Sequence, residues 1–340
     1  MDLGFVLAGH EVLWAIDNDK DACATYVANL GDHVICADVR GIDFANLGEI
    51  DCLIGGPPCQ PFSVAGKGMG TDDGRDMVPE FVRFLDILRP AWFVMENVSG
   101  LENRTHWPYL REVLTTMRGC GYTIDHQILN AADFGVPQIR NRLFVVGTTT
   151  EQAIRWPEPT HTDPQSAANG CLFGNPLKPW VTVRQALGIV GDVIWSDSIP
   201  HDGKPRVYGV DRPAPVIDAR QGGRPELVVK SKRARSESTI DAPSITIAAD
   251  GRESIAFPDV PAQTIDHTGE LHRPGRHDTP KSWGKASTRV RRLTTQECAI
   301  LQSFPLNYCW MGTKTAVYRQ IGNAVPPLLA KAIAEIERSI

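Results

Sequence analysis

Residues 51–63, DCLIGGPPCQPFS, pass from a short apolar run through two glycines into three prolines set around one cysteine. The apolar run reads as a strand. The glycine- and proline-rich stretch after it can be neither helix nor ordinary strand, because proline fixes φ and lacks an N–H. Similar runs recur on both sides. EVLWAID (11–17) ends in an acid, HVICAD (33–38) in another, and AWFVMENV (91–98) in Glu-Asn-Val. KDACATYVANL (20–30) and MVPEFVRFLDILRP (77–90) carry apolar residues at helical spacing, the second stopped by Pro90. Short strands alternating with helices predict βαβ units, an α/β class and a parallel, doubly wound sheet. Ligands of such sheets bind at the carboxyl ends of the strands. Asp17, Asp38, Cys59 and Glu96 all fall at or just beyond a strand end, which puts four chemically capable side chains on one rim.

The prolines around Cys59 restrict the loop before any ligand arrives, so the thiol is held in place at little further entropic cost. A nucleophile is one reading; a small buried hydrophobe is the other. Glu96, after an apolar strand, is either chemically employed or caps the next turn. Arg140 and Arg142, two apart at the start of a strand, share a face and suit an anion or a polarised carbonyl; a solvated strand edge fits equally.

Composition narrows the class. Of 340 residues, 42% are hydrophobic and 22% charged, enough for one large domain with a satellite or two domains. No run of about 18 apolar residues predicts a membrane helix, and the N-terminus lacks a secretory pattern. The eight cysteines form no C-x-x-C pair and have no histidine partner at zinc-finger spacing, so neither a disulfide framework nor a metal is expected, and a cytoplasmic setting is. The net charge of −5 is unevenly spread. Residues 201–300 carry 17 lysines and arginines against 13 acids, while the remainder carries 18 against 27. A basic third on an acidic background suits a polyanion, though an arginine-rich solvated loop region would look the same.

After residue 150 the texture changes to Pro, Gly, Arg and Asp with few apolar runs. DRPAPVI (211–217), DAPSITI (241–247) and DVPAQTI (259–265) share the form D-x-P-x-x-[TV]-I, a proline turn and then a short strand. They predict an irregular, β-rich small domain, unless the likeness is chance. Order returns at RRLTTQECAILQSFP (291–305), where a threonine caps a helix, and at IGNAVPPLLAKAIAEIERSI (321–340), a Gly-Asn turn, two prolines and an amphipathic helix.

Taken in order, GGPPCQPFS, ENV (96–98), QIRNR (138–142), RRLTTQECAILQSFP and QIGNAVPP (320–327) make the chain resemble DNA (cytosine-5) methyltransferases along almost its whole length. The resemblance implies a Rossmann-like doubly wound methyltransferase sheet formed by residues 1–150 plus 289–340, with 151–288 as the target-recognition domain. It implies methyl transfer from S-adenosylmethionine to C5 of a cytosine flipped out of duplex DNA. Cys59 would add to C6, Glu96 would act near N3, Arg142 would hold O2, and Arg140 would lie near the catalytic loop. Asp17 would bind the ribose, with Asn18, Asp38 and Val39 at the adenine and Pro57, Asn323 and Val325 near the methionine moiety. AGKGMGTDDGRD (65–76) looks like the loop that closes over the base, with Ser63 and Arg75 among the DNA contacts. Arg220, Arg224, Lys232, Arg233 and Arg235 are available for bases or phosphates. A monomer is expected, working beside a cognate restriction endonuclease in a bacterial or phage system. A DNA-binding decoy and a transfer-RNA methyltransferase are the competing expectations.

One departure stands out. The family opens with a strand and a Phe-x-Gly-x-Gly-Gly loop around the cofactor, whereas MDLGFVLAGHEV looks like the segment just after it. The expectation is that Met1 is an internal methionine of a longer natural protein; if it is the true start, weak cofactor binding is expected, with the first strand absent from the middle of the sheet.

Overall fold

A computed structural model of the chain describes residues 1–44, 47–58, 76–164, 177–189 and 293–336, and between them 193–196, 207–214, 226–230, 247–249, 253–255, 264–265, 271–272 and 288–292. In chain order the first part runs α1 (Asp2–Ala8), β1 (Ala15–Asp17), α2 (Lys20–Asn29), β2 (Val34–Cys36), β3 (Cys52–Gly55), α3 (Val78–Leu88), β4 (Trp92–Val98), α4 (Trp107–Gly119), β5 (Thr123–Asn130) and β6 (Asn141–Thr148).

β3, β4, β6 and β5 form one sheet in that order, with β3 parallel to β4 and the β4–β6 and β6–β5 pairs antiparallel. β4 lies inside this sheet and is buried almost throughout, because helices cover both faces. Strand periodicity divides its side chains cleanly. Phe93 and Met95 pack with Leu143, Val145, Phe81, Leu85, Leu110 and Met117 on the α3–α4 side. Trp92 and Val94 pack with Phe144, Val146, Phe5, Leu329 and Ile333 on the other.

β1 and β2 form a separate parallel pair. Trp14 and Ile16 pack against the same cluster as Leu53, so both pieces rest on one helix layer. Among the described residues no strand bridges β1 to β3, and the parallel layer is broken there.

Packing on the outer faces is close. A Cβ on Gly4 of α1 would lie 2.4 Å from Ala330 Cβ, which is why a residue without one sits there. Gly147 of β6 faces Phe93 across the β4–β6 pair, and a Cβ on it would meet Phe93 Cε1 at 2.1 Å. The Phe93 ring has no room to retreat, since it is fully buried and meets Phe81 and Tyr122 edge to face at 5.9 and 5.1 Å. Overpacking of this kind typically costs about 1–3 kcal/mol. Gly147→Ala is therefore expected to lower the unfolding midpoint in a denaturant titration, and adding Phe93→Leu should recover part of the loss.

The later chain supplies β7 (His161–Thr162), β8 (Lys178–Pro179), α5 (Val183–Leu187) and strands β9 (Val193–Ser196), β10 (Val207–Gly209), β11 (Glu226–Lys230), β12 (Ile247–Ala249), β13 (Glu253–Ile255), β14 (Thr264–Ile265), β15 (Leu271–His272) and β16 (Thr288–Arg292). β10-β9-β11-β16 is an antiparallel sheet, and β12–β13 and β14–β15 are two-stranded. This is the β-rich texture expected of the region. The three D-x-P repeats lie mostly outside the described residues. Helices α6 (Thr295–Leu301), α7 (Lys314–Asn323) and α8 (Pro327–Ala334) complete the chain. Of the two threonines that could cap this helix, Thr294 caps α6, through a reciprocal Thr294–Glu297 box. The predicted Gly-Asn turn is instead the last turn of α7, which ends at Asn323 with Ala324 in extended conformation. No described helix is long and apolar enough to cross a membrane.

Candidate active site

The carboxyl ends of β1 and β2 present acids. Asp17 closes β1, is exposed, and accepts Asp19 N–H at 2.8 Å. The surrounding protein still desolvates it enough to raise its pKa above the ordinary value, against the lowering effect of that bond. Asp19 caps α2 by accepting Asp21 and Ala22 N–H, and its other oxygen pairs with Arg319 of α7. The end of the chain is thereby tied to the rim. Asn18 is exposed beside Asp17. Asp38 caps the short turn at Val39–Gly41, and its carboxylate is gripped by the Arg40 guanidinium (Nε–Oδ1 2.9 Å). That hydrogen-bonded pairing holds its pKa down at about 2. Val39 is half-buried against the α3–α4 core.

Behind β3 and β4 the groups are tighter. Glu96 is 9% exposed, and Arg142 Nε donates to its Oε1 at 2.9 Å. β4–β6 pairing places them, since Glu96 faces Phe144 and Arg142 faces Val98. A Cβ on Gly56 would stand 3.2 Å from Glu96 Oε2, so the glycine lets the loop after β3 lie against the carboxylate. Asn97, next to Glu96, donates from Nδ2 to Pro57 O at 3.1 Å. Met77 N–H donates to Pro58 O at 2.9 Å, closing the base of the segment that holds Cys59. Asp76 accepts Val78 N–H and the Tyr109 hydroxyl on the same side.

The structure separates the two arginines expected to act together. Arg142 reaches Glu96 and, through Nη1, Asn141 O. Arg140 is 1% exposed and donates from Nη2 to Gly322 O at 2.9 Å, at the end of α7. A two-residue spacing gives a shared face only inside a strand, and Arg140 precedes β6. Asn323, the last residue of α7, is exposed, and Val325 just past it is buried in the α1–α8 core. Pro57 is half-buried. Cys59, Ser63, Arg75, Arg220, Arg224, Lys232, Arg233 and Arg235 lie outside the described residues.

Three groups at the site carry no assignment from the sequence. Asn97 stands in the Glu-Asn-Val motif and is a polar residue at a strand end, a visible signal. Arg319 and Tyr109 give none, because their partners are 300 and 33 residues away.

An acid ends β1, another follows β2, and a carboxylate–guanidinium pair lies against the loop after β3, in an α/β fold of the kind whose ligands bind at the carboxyl ends of the strands. The chain belongs to the C-5 cytosine-specific DNA methylase family, whose model matches residues 1–337. It is 32% identical over 345 residues to the Type II methyltransferase M1.HphI of Haemophilus parahaemolyticus, covering 98% of this chain and 82% of that one. It is 30% identical to M.MthTI of Methanothermobacter thermautotrophicus, over 98% and 92% of the two chains. Crystal structures share the fold: a DNA modification methyltransferase encoded within an E. coli prophage (22% identity, TM-score 0.55, covering 99% and 94% of the two chains) and the S. pombe Dnmt2 methyltransferase (17%, 0.58, 99% and 95%).

Proposed function

We propose that this chain methylates C5 of a flipped-out cytosine in a specific duplex DNA sequence through a transient bond between Cys59 and C6. The observation that carries the reading is the Glu96–Arg142 pair, nearly buried and held at the base of the Cys59 loop by the Asn97–Pro57 hydrogen bond. Cytosine C5 is too weak a nucleophile to take a methyl group unaided. Addition of the Cys59 thiolate to C6 pushes electrons toward C5, and Glu96 stabilises the adduct by a hydrogen bond or proton at N3. Arg142 orients Glu96 through Nε and reaches O2 of the base. Loss of the C5 proton then re-forms the double bond and expels Cys59.

The described residues fit S-adenosylmethionine at the opposite end of the rim. Asp17 offers an exposed carboxylate to the ribose, and Asn18 lies at the adenine. Val39, Pro57, Asn323 and Val325 border the remainder. Asp38 receives the adenine amino group only in exchange for Arg40, which now holds it. When bound, the cofactor supplies the methyl group on a sulfonium.

Residues 1–150 with 289–340 form the catalytic domain in this reading, and 151–288 read the target. Ser63, Arg75 and the basic residues Arg220, Arg224, Lys232, Arg233 and Arg235 contact DNA. A cognate restriction endonuclease would be the companion activity. Incubation with tritiated S-adenosylmethionine and either duplex DNA or transfer RNA tests the reading. Label in cytosines of duplex DNA, at one sequence by bisulfite sequencing, is expected. Labelled transfer RNA, or DNA binding without label, would sink it.

A further inference from the structure

The turn that joins α7 to α8, Asn323–Pro326, is gripped on both flanks by two adjacent residues at the end of α6. Gln302 is wholly buried and donates from Nε2 to Ile321 O at 2.6 Å. Its Oε1 has no partner among the described residues. A buried amide with one end unsatisfied is unfavourable, and so marks a position where the other end is needed. Ser303 follows in the left-handed region, at φ 64, one of only two such non-glycine residues described. Serine rarely adopts that conformation without compensation. It places Ser303 Oγ where Leu328 N–H, in the first turn of α8, donates to it at 3.2 Å. Arg140 adds a third hold at Gly322 O, and its cation stands at the negative end of the α7 dipole. The last carbonyls of α7 and a first-turn amide of α8 are groups that helices cannot satisfy internally. Here three side chains satisfy them together.

We propose that Gln302, Ser303 and Arg140 are positioning residues that set the Asn323–Val325 edge of the cofactor site, resting on the proposed function, in which this edge borders S-adenosylmethionine. Arg140 acts through α7 rather than on the cytosine. The clamp fixes a backbone turn and touches no reacting atom, so its loss should weaken cofactor binding and spare chemistry. Ser303→Asn should be tolerated, because asparagine accepts left-handed φ and keeps a side-chain oxygen. Ser303→Ala keeps the strain and loses the acceptor.

The test is steady-state kinetics with varied S-adenosylmethionine on the full chain, beside hydrogen exchange of the Ala324 amide, which bonds back to Gln320 O at 3.1 Å. For Gln302→Ala and Ser303→Ala, KM for S-adenosylmethionine should rise about tenfold or more, with kcat at saturation and KM for DNA within threefold of wild type. Ala324 should exchange at least tenfold faster while the amides of β4 and β6 do not change. Ser303→Asn should restore both values. Unchanged KM with reduced kcat, or unchanged Ala324 exchange, would overturn the clamp. Failure of the unaltered chain to bind or use the cofactor removes the functional reading itself, and that result is visible before any variant is made.

Discussion

Cys59→Ala is expected to bring methyl transfer to duplex DNA down to background, a loss on the order of 10⁴-fold or more, as for nucleophiles that work as part of a catalytic unit. The expectation rests on chemistry more than on geometry. Without addition at C6 the ring never becomes nucleophilic at C5. Binding of duplex DNA should survive within a few-fold, since affinity comes mainly from phosphate contacts elsewhere. Two measurements make the result specific. A duplex carrying 5-fluorocytosine at the target should trap wild-type protein as a complex stable to denaturant, because fluorine cannot leave as the proton does; Cys59→Ala should trap none. Cys120→Ala, at a half-buried thiol whose pKa burial raises, should leave transfer near wild type. Equal losses from both variants would mean that a folding defect, not the Cys59 thiol, was being measured.

Much of this site is legible in the sequence because its residues lie where strands end. The β1, β2, β3 and β4 runs are apolar and short, with Asp17, Asp38, Gly55–Gly56 and Glu96 at or within two residues of their ends; burial on both faces enforces the apolar pattern in β4, whereas β1 and β2 are only partly covered. β5 is hard to read for the opposite reason. It lies at the sheet edge, and TIDHQILN exposes polar side chains at alternate positions. Arg140 defeats a reading by spacing because its partner, Gly322 O, lies 182 residues on, and no spacing rule reaches that far. Asp38 shows a third limit. Its pairing with Arg40 is only two residues away, yet the sequence does not say whether a carboxylate serves a neighbour or a ligand. The candidate residues announce their type locally, while their pairing is set by tertiary contacts.

That division is sharpest at Glu96 and Arg142, where Glu96→Ala is expected to lower kcat/KM by about 10²–10³-fold, the range of a single proton-handling group. Arg142→Ala should cost a similar factor, and the double variant clearly less than the product of the two. With Glu96 only 9% exposed and its carboxylate 2.9 Å from Arg142 Nε, removing either partner strands the other as a poorly solvated charge. Each single loss therefore contains a penalty that is absent from the double variant. A coupling energy of about 1–3 kcal/mol, measured on kcat/KM, is the expected signature for contacting residues. Glu96→Gln divides the contributions further. It can still accept from Arg142, so folding and DNA affinity should hold, while the transferable proton that Glu96 offers N3 is lost and kcat should stay low. Additive losses in the cycle would mean that Arg142 serves the base alone. Retention of most activity by Glu96→Gln would reduce the role of Glu96 to a neutral hydrogen bond, with ring activation left to Cys59.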